Sequence, residues 1–115
     1  MKHYALIFRS TRALAPEELK QRAIDIAVWV KEVSDTGITL DPKALGETIA
    51  NLSAKGKEII SDEISSDPTL INIVFFDAPS RDQAIKIARM HPGLHYGVTI
   101  EAREWTSPRE TLGTR

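Results

Sequence analysis

The sequence predicts an α+β domain of ferredoxin-like order, a split βαβ arrangement, and three observations predict it. Leu70–Phe76 (Leu-Ile-Asn-Ile-Val-Phe-Phe) is apolar on both faces apart from Asn72, as a central strand covered on both sides must be. A helix follows it, opened by Ser80-Arg81-Asp82-Gln83 and stopped by Pro92, and then an alternating strand over Gly97–Arg103. Upstream, a short strand pattern leads into one long amphipathic helix.

His3–Arg9 is the first strand, with Tyr4, Leu6 and Phe8 on the core face and His3, Ala5, Ile7 and Arg9 on the other. Ser10–Ala15 is a loop. Pro16 suits a first helical position, and Glu17 and Glu18 suit the positive end of the helix dipole. Leu19, Ala23, Ile26, Val30 and Val33 then form one apolar stripe, with Trp29 beside it and Gly37 closing the helix. Ile38–Lys43 reads as a connector. Glu47–Leu52 and Glu58–Ser61 read as an exposed hairpin about a turn at Ala54–Lys57, and Asp62–Pro68 as a polar loop. In the second helix, Ala84, Ile85, Ile87 and Ala88 supply the buried side. Residues 1–105 are expected to form the domain and residues 106–115 a loose tail.

The resulting order is β-α-β-β-β-α-β, an antiparallel sheet with both helices on one face. The opposite face is then apolar at its centre and bare, which monomers avoid. Two such sheets laid face to face remove the exposed patch, so a two-fold homodimer is the expected assembly.

Totals narrow the function classes. A length of 115 residues is one domain, and 42% hydrophobic with 27% charged residues is ordinary for a soluble protein. A formal net charge of −1 disfavours nucleic acid and anionic membranes as partners, and the basic, aromatic signature of RNA-binding relatives of this topology is missing. The absence of cysteine removes disulfides, thiolate nucleophiles and cysteine metal sites. With no apolar run of membrane-spanning length and no secretory signal pattern at Met1–Tyr4, a cytoplasmic protein is expected.

Chemistry-bearing residues are few. His3 becomes a general base if Thr99 or Glu101 orients it. His91 and His95 stand four apart, but Pro92 and Gly93 break the helical face between them, so two polar residues on an exposed corner is the ordinary reading. Any third metal ligand would have to come from Asp62, Asp77 or Glu101, and neither a metal nor a cofactor is expected. Asp62 is ordinarily a turn residue. Glu101 and Arg103 share a face, as a structural ion pair or as the floor of a pocket in which Arg9 and Arg103 hold an anion. Trp29 is core or pocket wall.

Several stretches resemble the YCII-related family with its DGPF branch: Met1–Ile7, Pro16-Glu17-Glu18 with Trp29 in the same helix, Ala78–Ile85, and Pro92, Gly97 and Ile100–Arg103. The resemblance implies a dimeric α+β barrel, a small organic ligand and, in some members, a His–Asp pair in a pocket between sheet and helices. Asp62 stands where the DGPF motif would begin, followed by Glu63, Ile64 and Ser65 in place of the rest, and the first helix has no histidine to match the family's. The expected function is a homodimer that binds a small organic molecule, with enzymatic action left open; as a cofactor-independent enzyme it would do proton transfer or elimination through His3, Asp62, His91, His95 and Glu101, with Arg9, Trp29 and Arg103 binding substrate. The alternatives are a non-enzymatic dimeric binding module and a monooxygenase-like barrel.

Overall fold

In the computed structural model, which describes residues 1–61 and 69–109, the chain runs β1 (Lys2–Ser10), α1 (Pro16–Asp35), β2 (Asp41–Ala44), β3 (Leu52–Lys55), β4 (Glu58–Ser61), β5 (Leu70–Ala78), α2 (Arg81–Arg89) and β6 (Val98–Glu104). A single 3₁₀ turn, Pro92–His95, links α2 to β6. Four strands make one antiparallel sheet in the order β2-β5-β1-β6, the order of a ferredoxin-like fold, while β3 and β4 pair separately as a hairpin.

The register sorts side chains by face. Tyr4, Leu6 and Phe8 lie opposite Phe76, Val74 and Asn72 on β5 and beside Glu104, Ala102 and Ile100 on β6. This face meets both helices: Trp29 and Val33 of α1 and Ala84 and Ile87 of α2 join Tyr4, Leu6, Phe8, Val74 and Phe76 in one buried cluster. The other face carries Ala5, Ile7, Ile73 and Phe75 at its centre, and among the described residues no helix covers it.

Three expectations are corrected. The buried side of α1 is not phased on Leu19, Ala23 and Val30. Trp29 is only 4% exposed whereas Leu19 is 44% and Val30 40% exposed, so the inward row is Arg22, Ile26, Trp29 and Val33. The bulk of the indole, anchored by its Nε1–H donating to the Ile87 carbonyl at 3.0 Å, turns the helix onto itself. Second, Asp41-Pro42-Lys43-Ala44 is an edge strand rather than a connector. Its brevity and its proline, which cannot donate to a ladder, hide it from pattern reading. Third, the hairpin begins at Leu52, not Glu47, because the pairs Leu52–Ser61 and Lys55–Glu58 close on Gly56-Lys57, where Gly56 takes φ +65°. The expected loop at Asp62–Pro68 and most of the expected tail lie outside the described residues.

The hairpin packs chiefly on itself, and its Leu52 and Ile59 are 64% and 67% exposed. The radius of gyration is 17.0 Å. A compact chain of this length would measure about 13 Å.

Gly97 is where β6 is entered. At φ +71° it lies in the left-handed region, and a Cβ there would stand 2.6 Å from Arg12 Cγ. Its carbonyl accepts both the Thr11 N–H at 2.7 Å and the Thr11 hydroxyl at 2.6 Å, tying the β1–α1 loop to β6. Gly97→Ala should therefore lose about 1–2 kcal/mol of stability, read from the midpoint of urea unfolding.

Candidate functional site

Two places gather chemistry, one on each face of the sheet. On the open face, the register sets His3 opposite Asp77, and His3 Nδ1 lies 2.6 Å from Asp77 Oδ1. Trp105, just past β6, stacks its ring on His3 at 4.6 Å between centroids, and its Nε1–H donates to the Tyr4 carbonyl at 3.1 Å. The imidazole is thus held between a carboxylate and an aromatic plane. Asp77 and Trp105, but not His3 itself, line a neighbouring cleft of about 380 Å³ together with Phe75, Asp41 and Thr39. The partner of His3 is thus Asp77, not Thr99 or Glu101, which pair across from Arg9 and Ile7.

Farther along this face Glu101 is held by two guanidinium groups. Arg9 donates to its Oε1 at 3.0 Å and Arg103 donates to its Oε2. These bonds, Arg103's first and Arg9's second, hold the Glu101 carboxyl below the usual carboxylate range. An ionised acceptor with both oxygens engaged is poorly suited to deliver a proton, and the cluster reads as a fixed ion triad.

The second place lies between α1 and the sheet. His91, expected on an exposed corner, is 7% exposed. Its ring sits 4.7 Å from that of Phe8 and 4.5 Å from that of Trp29, edge to face with the latter. Its Nδ1 accepts the Gly93 N–H at 2.9 Å, so Nε2 carries the ring hydrogen. Burial in this aromatic setting, reinforced by the Arg22 charge, lowers the His91 pKa to about 4. His91 is therefore a neutral hydrogen-bond donor at pH 7 and not a general base. It faces a cavity of about 520 Å³ walled by Phe8, Ile26, Trp29, Leu40 and Val74, with Arg22 and Asn72 as its other polar groups.

His95 is exposed on the 3₁₀ turn and lines neither space. Asp62 lies outside the described residues. Among the described residues no group of three or more His, Asp or Glu side chains is placed to hold a metal ion, and no helix is long and apolar enough to cross a membrane. Sequence reasoning missed Asp77 as the partner of His3, missed Arg22 altogether, and noted Asn72 only as the polar break in its strand. Phasing α1 on Trp29 would have exposed Arg22 as a cation inside the apolar row.

No protein-family model and no curated protein matches the chain. The site must therefore be read from its own geometry.

Proposed function

We propose that the protein is a YCII-like two-fold homodimer, formed by apposing the open sheet faces, that binds a small organic molecule beside His3 and transfers a proton on it. The observation that carries this reading is the 2.6 Å contact between His3 and Asp77, next to a cleft with aromatic walls. With Nδ1–H donating to the carboxylate, the Nε2 lone pair is free to take a proton, and Asp77 stabilises the imidazolium that forms. Trp105 fixes the plane of the ring and offers a flat surface to a ring or conjugated carbonyl compound. A second sheet laid over this face would exclude water from the cleft and strengthen every charge interaction in it.

The test uses weak carbon acids, a panel of β-dicarbonyl and phenolic compounds in deuterated buffer, with exchange at carbon followed by proton NMR. Wild-type protein should accelerate exchange in at least one of them, and His3→Ala and Asp77→Asn should each slow it by about a hundredfold. Exchange at the buffer rate throughout, or variants equal to wild type, would overturn the enzymatic reading. The half-exposed Asp77 carboxylate favours one competing reading, a cross-strand ion pair on a non-enzymatic binding module.

A further inference from the structure

The α1–sheet cavity supplies hydrogen-bond donors and a positive charge, and among the described residues no acidic side chain lines it. The Nε2–H of His91 meets no acceptor among the described residues, since Nδ1 makes the ring's one hydrogen bond, to the Gly93 N–H. Arg22 is half-buried on the inward row of α1. No carboxylate among the described residues pairs with it, although Glu18, one turn earlier, is engaged by Arg12 through two hydrogen bonds of 3.2 and 2.9 Å. The Asn72 side chain, across the cavity on β5, likewise has no partner among the described residues. The two arginines of the sheet, by contrast, are matched: Arg9 and Arg103 both pair with Glu101. A donor on a 7%-exposed histidine that opens onto the cavity without an acceptor, and a half-buried guanidinium without a counter-charge among the described residues, converge on a mainly apolar space and form an anion site with a hydrophobic body pocket.

We propose that this cavity is a second binding site, distinct from the His3–Asp77 cleft, for an apolar carboxylate: an aliphatic chain or fused ring lies against Phe8, Ile26, Trp29 and Leu40 while its carboxylate accepts from Arg22 and from the His91 Nε2–H. The volume of about 520 Å³ admits a ligand of ten to a dozen heavy atoms with room to spare, within the usual span of roughly 300–1,000 Å³ for small-molecule sites. The neutral His91 already presents this Nε2–H to the cavity, because its Nδ1 is occupied by the Gly93 N–H. A cationic ligand would meet Arg22 with like charge and a His91 that has only a hydrogen to offer.

The experiment titrates full-length protein with decanoate and 2-naphthoate, and with their primary amides, by isothermal titration calorimetry near pH 7. Both acids should bind, and each amide should bind at least about tenfold more weakly, the loss of one charge-assisted pair. Arg22→Gln should weaken the acids about tenfold and leave the amides unchanged. Val30→Trp, at a partly exposed position on the cavity wall, should block acids and amides alike. His3→Ala should bind all four as wild type does. The proposal is overturned if neither acid binds, if amides bind as tightly as acids, or if Arg22→Gln changes nothing. Retained circular dichroism in each variant separates loss of the site from loss of the fold.

Discussion

Acidification from pH 6.5 to pH 4 is expected to strip up to about 3 kcal/mol of stability from the protein through His91 alone. The sign follows from which state binds the proton. In the unfolded chain the imidazole protonates near 6.5, whereas in the folded protein it stays neutral down to about 4. Between those values the unfolded state holds one more proton, so stability rises with pH across the window and is lost as pH falls through it. The cause is first the burial between the Phe8 and Trp29 rings and second the positive charge of Arg22. Protonating Nδ1 would in addition confront the Gly93 N–H with a second N–H. Glu18 and Glu101, whose carboxyls are held low by Arg12 and by Arg103 with Arg9, begin to lose their contribution only as pH falls below the ordinary carboxylate pKa and on through the lowered one, so they do not mask the upper part of this window. Urea unfolding at half-unit steps from pH 7 to 4, on wild type and on His91→Gln, provides the check. The wild-type curve should fall more steeply than that of the variant. Parallel curves would show that His91 is solvated and titrates like a free imidazole.

The same residue shows what a sequence can and cannot disclose about this chain. The β5–α2–β6 unit is legible because its signals are local. Leu70–Phe76 is apolar on both faces, the Ser80 hydroxyl does accept the Gln83 N–H at 3.2 Å, and Pro92 does end the helix. The order of elements discloses the ferredoxin-like class but not the edge of the sheet, where Asp41–Ala44, read as a connector, stands and the hairpin stays apart. The burial of His91 is not local: it is made by Phe8 from β1 and Trp29 from α1, which no spacing rule brings together. The pairing of His3 with Asp77 is of the same kind, since it depends on the register that sets Lys2 opposite Ala78. The phase of α1 fails for a third reason. Several of its outward residues, Ile24 and Val28 among them, are also apolar, so periodicity offers more than one stripe and packing of the largest side chain selects between them. The candidate site was thus readable as a set of residue types and unreadable as a geometry.

Ile73→Glu is expected to convert the proposed dimer into a folded monomer. Across the open face the register aligns Ile7 with Ile73 and Ala5 with Phe75, an apolar centre bordered by Arg9, Glu101 and Arg103 on one side and by Asp41 and Lys43 on the other. Two-fold pairing lays this stripe against its own copy with the charged borders at the rim, the arrangement in which an apolar centre is dried and the charges stay solvated. A carboxylate at position 73 would then be buried twice, once from each subunit. Lys43, directly across on β2, tolerates that charge in a solvated monomer, so the fold survives while the interface does not. Two desolvated carboxylates amount to about 4 kcal/mol against association, roughly a thousandfold in the dimer dissociation constant. Sedimentation velocity over a micromolar concentration series reads the outcome directly. Wild type should sediment as a dimer and Ile73→Glu as a monomer of unchanged circular dichroism. A wild type that sediments as a monomer, or a variant that remains dimeric, would remove this face as the interface, and with it the cover that dries the His3–Asp77 cleft.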